Sequence, residues 1–220
     1  MLINKFDTTE CINGCKIFND NSNYLYWENR NVTNDEIDIL NFLNSKNNKD
    51  LNILHVGIGN SFLASKLNSF KEIIGITISQ NEIEHATSRN IFNYKYFFLN
   101  KYKANSLNIF EKKKFDIIID TNIKSFSCCN EAFIDLFSQY ANLLKDNAYI
   151  ISHSNGLKWS RIVKPKLAFS FKKLFYKKLK EYDGPSQNLL NISDCKNLAY
   201  KNNLQLDLDN KNLIIFKTEK

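Results

Sequence analysis

Apolar positions in this chain fall into two textures. Short, nearly continuous apolar runs occur at Leu51 to Val56, Glu72 to Ile78, Tyr94 to Leu99, Phe115 to Asp120 and Ala148 to Ser152. Runs of this length with little alternation read as strands covered on both faces. Between them, apolar residues recur at steps of three and four. Phe62, Leu63 and Leu67 mark a short helix, and Phe133, Leu136, Phe137, Tyr140 and Leu144 mark a long one. Ser79-x-x-Glu82 has the form of a capping box and opens a helix to about Asn90. Thr33-x-x-Glu36 is a second such box, with Ile37, Leu40 and Leu43 following at helical spacing to about Ser45. Near the end, Ser193 can cap a helix to about Lys201. Leu204 to Leu208 and Leu213 to Phe216 then flank Asp209-Asn210-Lys211-Asn212, the pattern of an antiparallel hairpin.

Strands alternating with helices imply right-handed crossovers and a parallel sheet. The expected fold is therefore α/β: a doubly wound, seven-stranded, mostly parallel sheet with helices on both faces, closed by an antiparallel C-terminal hairpin. Residues 1–50 read as an N-terminal extension and helix. Residues 51–220 read as the main domain, with an insertion at about 157–183. Residues 1–32 carry little periodicity but include Tyr24, Tyr26 and Trp27, which could pack on the core or fold over a bound ligand.

Composition changes this picture little. With 220 residues, 43% hydrophobic and 24% charged, the chain suits one globular domain. The net charge is +7, but Lys, Asn and Ile are abundant throughout, so the position of the charge matters more than its sum. It concentrates in the insertion, where Lys158, Arg161, Lys164, Lys172 and Lys177 interleave with Leu167, Phe171, Leu174 and Leu179. That is a basic amphipathic helix. It reads either as a lid over an acceptor pocket or as a contact, through 158–180, with an anionic surface of lipid headgroups or glycan. An apolar face suits RNA less well. No apolar run reaches the roughly 20 residues of a membrane span, and Met1-Leu2-Ile3-Asn4-Lys5 lacks the organisation of a signal peptide, so a cytoplasmic chain is expected. Cys11, Cys15, Cys128, Cys129 and Cys195 include no C-x-x-C pair. Cys11-x3-Cys15 matches zinc spacing poorly and no His pair completes a site, so reduced thiols and no metal are expected.

The informative loop is Val56-Gly57-Ile58-Gly59-Asn60-Ser61, at the end of the first strand. Two glycines let backbone amides face a ligand beyond the carboxyl edge of the sheet. A dinucleotide fingerprint needs a third glycine where Phe62 stands and an acid about 20 residues on, where Thr77 stands. A phosphate-binding G-K-[ST] is also absent.

This G-x-G loop, the closing hairpin, and the "FDIIID" and "LLKDNAYIIS" strands resemble the class I S-adenosylmethionine-dependent methyltransferases. The resemblance spans roughly Leu51 to Lys217. Its second strand and helix, "IIGITISQNEIEHATSRN", look like the branch containing cyclopropane fatty acid synthases and small-molecule methyltransferases. The resemblance implies S-adenosylmethionine as cofactor and methyl transfer to a small molecule, lipid or saccharide. Gly57, Ile58, Gly59, Asn60 and Ser61 would hold the methionyl part. Thr77, Ile78 and Ser79 would hold the ribose and adenine, with Asn100 and Lys101 flanking the adenine. Asp120, Thr121 and Asn122 would face the sulfonium. His55, Thr77 and Asn100 stand where the family often has acids.

His153, just past the fifth strand, is the candidate general base, and Asp120, at the end of the fourth strand, is a second candidate catalytic residue. The loops that mark DNA amino- and cytosine-methylating enzymes are missing, so no DNA partner is expected. Two rivals remain. One is aminopropyl transfer on the same fold, which would need acids to hold a polyamine. The other is a non-catalytic binding module. Oligomeric state is not legible.

Overall fold

Ile53-Leu54, Ile73-Ile74, Ile117-Ile118-Ile119 and Ile150-Ile151 are β-branched or aliphatic pairs with no polar interruption, and each becomes the buried centre of a strand. The computed structural model describes residues 10–17, 30–46, 50–67, 70–157, 190–208 and 212–218. Its strands are β1 (Asn52–Val56), β2 (Glu72–Thr77), β3 (Tyr94–Phe98), β4 (Phe115–Ile119), β5 (Leu144–His153), β6 (Leu204–Asp207) and β7 (Leu213–Thr218). Its α-helices are α1 (Asn34–Ser45), α2 (Phe62–Lys66), α3 (Gln80–Ser88), α4 (Asn130–Leu143), α5 (Ser154–Leu157) and α6 (Ile192–Lys201), with a 3₁₀ turn at Ser106–Phe110.

The seven strands pair in the order β3-β2-β1-β4-β5-β7-β6. The first five run parallel, with Leu54 between Ile74 and Ile118, and Ile118 beside Ile150. β7 is antiparallel to both β5 and β6, pairing Ile151 with Ile215 and Leu206 with Phe216. This is the doubly wound sheet with a closing antiparallel hairpin expected from the pattern.

Strand alternation divides the core into two layers. Leu54, Ile74, Ile118 and Ile150 point to one face, where they meet Phe133, Phe137 and Tyr140 of α4 and Leu198 of α6. The Phe137 and Phe216 rings meet edge to face at 4.8 Å. Ile53, Ile73, Ile117 and Ile151 point to the other face, against Ile39 and Leu43 of α1, Leu63 of α2 and Ile83 of α3. Each side chain so buried contributes about 1.5–3 kcal/mol of hydrophobic stabilisation. α1 thus shares the sheet's own core.

Several strand ends move by one or two residues from the sequence reading, and two boundaries differ for a physical reason. The last helix is capped by Asn191, whose side chain accepts from Asp194 N at 2.8 Å while Asp194 accepts from Asn191 N at 2.9 Å; Ser193 lies inside the helix. β5 begins at Leu144, four residues before the apolar run, because Phe115 of β4 pairs with it across a register shift. The basic segment at 157–183, past its first residue, and Tyr24, Tyr26 and Trp27 lie outside the described residues. Among those described, no helix is long and apolar enough to cross a membrane.

Candidate functional site

The sheet order reverses between β1 and β4, and beyond their carboxyl ends lies a cleft of about 390 Å³. Its floor is the β1–α2 turn. The Gly57 amide donates to Ile76 O at 2.8 Å, which ties the turn to β2. Gly57 has φ +76°, and a Cβ there would meet nothing within 4 Å, so the space above it is open. Gly59 has φ +52° and lies under the Arg30 guanidinium. L side chains rarely adopt this left-handed region, which explains both glycines.

The wall nearest α1 carries an ion pair. Arg30 donates to both Glu36 carboxylate oxygens, at 2.8 and 2.5 Å, and Glu36 also accepts from Thr33 N at 3.0 Å, as the capping box requires. Burial alone would raise the Glu36 carboxyl; the Arg30 and Thr33 hydrogen bonds overcome it and hold the group below its ordinary value. Beyond β2, the Thr77 hydroxyl donates to Glu82 at 2.6 Å and accepts from Ser79 N at 3.1 Å. Glu82 therefore presents a carboxylate in the cleft from the first turn of α3, five residues past the strand end.

The third wall is the loop after β4. Asp120 is 2% exposed, and its Oδ2 accepts from Lys101 Nζ at 2.7 Å and from the Tyr140 hydroxyl at 2.8 Å. Lys101 also donates to Asn122 O at 3.0 Å, and Tyr102 reaches the carbonyls of Ile123 and Ser125. Burial lowers Lys101 from its ordinary value against the pull of Asp120. Burial, joined by the Asp120 charge, raises Tyr140. Gly156 packs against this loop: a Cβ there would overlap Thr121 O.

His55 completes the cleft from β1. It is buried, and its Nδ1 has no hydrogen-bond partner among the described residues. Burial holds its pKa down at about 4, despite the opposing charges of Glu36 and Asp120, so the imidazole is neutral near pH 7. Across the cleft, carboxylates of Asp35, Glu36, Glu82 and Asp120 outnumber the cations Arg30 and Lys101.

No protein-family model and no curated protein matches this chain. Solved structures do. The magnesium protoporphyrin IX methyltransferase ChlM from Synechocystis PCC 6803, with bound SAH, superposes with a TM-score of 0.58 at 12% identity, over 84% of this chain and 81% of its own. CalS10, an amino pentose methyltransferase from Micromonospora echinaspora with bound SAM, gives 0.58 at 8% identity, over 88% and 94%. The N-methyltransferase NodS from Bradyrhizobium japonicum WM9 gives 0.56 at 10% identity, over 83% and 93%. The fold is that of the class I S-adenosylmethionine-dependent methyltransferases. A cyclopropane fatty acid synthase-like branch is not shown by these likenesses.

On this methyltransferase fold, most of the expected cofactor residues face the cleft: Gly57, Gly59, Thr77, Ile78, Ser79, Asn100, Lys101, Asp120, Thr121 and Asn122 all line it. Three of the turn residues do not. Ile58 is buried in the core. Asn60 is buried, its Oδ1 accepting from Phe62 N and its carbonyl from Arg89. Ser61 is fully buried at φ +59°. Of the Gly57–Ser61 turn, only the glycines look outward.

His153 lies away from the lining. Its Nδ1 accepts from Asn155 N at 3.1 Å, which leaves Nε2 as the protonated nitrogen, 3.1 Å from Asp38. Both ring nitrogens are thus engaged on the α1 side of the sheet. Arg30, Glu36 and Glu82 are cleft residues that the sequence reading did not place there. Glu36 and Glu82 were legible only as helix caps, and Arg30 sits in a stretch without periodicity.

The cysteines also assemble. The thiols of Cys11, Cys15, Cys128 and Cys129 all lie within 4.8 Å of one another, whereas Cys195 is buried in the core. Spacing along the chain argued against a metal; the fold joins two pairs more than a hundred residues apart.

Proposed function

We propose that this chain is an S-adenosylmethionine-dependent methyltransferase for a small-molecule, lipid or saccharide acceptor. The observation that carries the reading is the cleft itself: a glycine floor at the switch point, walled by a surplus of carboxylates in a chain of net charge +7. A cofactor bearing an ammonium and a sulfonium suits that charge balance. The open space above Gly57 and the unpartnered His55 Nδ1 are further features that such a ligand would use.

When bound, the cofactor supplies a methyl group on a sulfonium, open to in-line displacement. Gly57 and Gly59 bring bare backbone to the methionyl part. Glu82, held by Thr77, takes the place of the ribose acid that Thr77 itself cannot supply. His55 adds a hydrogen-bonding atom without adding a positive charge. The Lys101–Asp120–Tyr140 network holds the Asp120–Asn122 loop in one arrangement at the transfer end. Positioning and exclusion of water provide the rate on this reading, with no general base required from the chain. His153, with both ring nitrogens engaged, takes no part in it.

Aminopropyl transfer would need carboxylates free to grip a polyamine. Glu36 and Asp120 are each committed to a cation, so the surplus left in the cleft matches one cationic cofactor better than a cofactor and a polyamine together. Calorimetry with S-adenosylmethionine and S-adenosylhomocysteine tests the reading: both should bind, and no heat at millimolar ligand would sink it. Binding without turnover on any extract would favour a non-catalytic module.

A further inference from the structure

The strongest feature outside the cleft is the cysteine cluster. Cys11 and Cys15 bracket a tight turn in which Cys11 N donates to Cys15 O at 2.9 Å and Gly14 N donates to Cys11 O at 2.9 Å. Gly14 sits at φ +71°, a conformation that favours glycine, and an isolated bridge joins Glu10 and Lys16 on either side. The turn thereby brings its two thiols close together. Cys128 and Cys129 arrive from the other direction, at the end of the loop that leads into α4.

The sulfur positions suit one metal ion. A tetrahedral centre with metal–sulfur bonds of about 2.3 Å places its sulfurs about 3.8 Å apart. Cys11 and Cys129 sulfurs are 3.7 Å apart, those of Cys128 and Cys129 are 4.0 Å apart, and all four fall within 4.8 Å. Clusters of two or four irons spread their cysteines over separate metal atoms and need wider spacing. Backbone donors also face two of the sulfurs. Asn13 N donates to Cys11 Sγ at 3.4 Å. Ala132 N donates to Cys129 Sγ at 3.4 Å, with Cys129 at the N-cap of the fourteen-residue α4. Amide donors and a helix N-terminus both stabilise sulfur that carries negative charge.

We propose that Cys11, Cys15, Cys128 and Cys129 form a structural zinc site. The four thiols bind as thiolates and release their protons to solvent, with no change of oxidation state. All four tetrahedral positions are then filled by protein, so the ion holds structure and has no open position for chemistry. What it holds follows from connectivity. One pair of ligands anchors residues 10–17, which also touch the core of the domain through Ile17 and the hydrogen bond from Ala104 N to Glu10 O. The other pair ends the loop that begins at Asp120. The zinc therefore staples an N-terminal turn to the wall of the cleft. This proposal is independent of the acceptor and of the methyl-transfer reading.

The experiment uses the full chain, purified under reductant with zinc in the medium. Elemental analysis should give one zinc per chain, released when the thiols are blocked with a mercurial. After removal of zinc, cobalt(II) should produce a thiolate-to-metal charge-transfer band and the intense visible bands of a tetrahedral sulfur site, and zinc should abolish both. Cys195→Ser should behave as the parent. Cys11→Ser and Cys129→Ser should weaken the metal by more than the about 10–100-fold that loss of an outer-shell partner costs. A reduced parent chain that holds no zinc and develops no cobalt bands overturns the proposal, and this arm needs no variant to fold. So do cobalt bands that survive Cys11→Ser and Cys129→Ser, or a Cys11–Cys129 disulfide that forms in the presence of zinc.

Discussion

Removing Lys101 separates an ion pair built for the cleft from one that merely happens to form there. In Lys101→Met, Asp120 keeps the Tyr140 hydroxyl at 2.8 Å but loses the ammonium at 2.7 Å. Asp120 is 2% exposed and the Lys101 side chain 14% exposed, so water cannot readily take the lysine's place. Breaking a buried pair from one side costs about 3–5 kcal/mol, because a charge is left without its partner. The remaining tyrosine bond and the slight exposure of Lys101 place the expected loss at the lower end, about 3 kcal/mol. Lys101→Met combined with Asp120→Asn removes both charges. Its cost should fall to about 1–2 kcal/mol, since an uncharged replacement leaves only imperfect hydrogen bonds. The double variant should therefore be more stable than Lys101→Met alone. Urea unfolding, followed by the midpoint at constant m, measures this. If the two substitutions simply add, the buried pair described here does not govern that wall.

The remaining expectations concern other walls of the cleft. His55 is held at about 4 from an ordinary 6.5, so the unfolded chain takes up a proton first as pH falls; stability should be full above about pH 6.5, decline by about 3 kcal/mol towards pH 4, and lose that decline in His55→Gln. Denaturation midpoints across that window check it, and an unchanged pH profile in the variant refutes it. Glu82→Gln keeps a partner for Thr77 but removes the charge, and should weaken S-adenosylmethionine binding about tenfold, or ~1.4 kcal/mol, by calorimetry. Gly57→Ala forces an L side chain to φ +76° over an open floor; it should cost about 1 kcal/mol of stability and a larger factor in cofactor affinity, read from paired unfolding and binding curves. Gly156→Ala meets the Thr121 carbonyl and should displace the Asp120–Asn122 loop, seen as altered amide shifts there in the folded variant.

Local order was legible in the sequence because its causes are short-range. Apolar runs of five or six residues specify strands, and serine or threonine three residues before an acid specifies helix starts, whereas the Asn191–Asp194 cap is passed over in favour of Ser193. Asp209 to Asn212, between an alternating leucine run and Leu213 to Phe216, predicts the closing hairpin. From these alone the seven-stranded sheet and its glycine turn follow, and with them the place where a ligand would sit. The two faces of the strands were harder to read. Each strand alternates with a period of two, so His55 shares a face with Ile53, and His153 shares one with Ile151. Both histidines therefore stand on the α1 face, and it is the place of each strand in the sheet, β1 at the switch point and β5 beyond β4, that puts His55 in the cleft and His153 against Asp38.

Convergence belonged to the tertiary structure alone. Glu36 and Glu82 are equally good as helix caps or as cleft carboxylates; only the docking of α1 beside β1, and of α3 beyond β2, makes them the latter. Cys11 and Cys129 are separated by 118 positions, and no spacing rule spans that distance. Pattern along a chain records which face a residue prefers to bury. Which distant side chains share a cavity is decided only when the whole sheet has closed, because that meeting depends on every crossover between them.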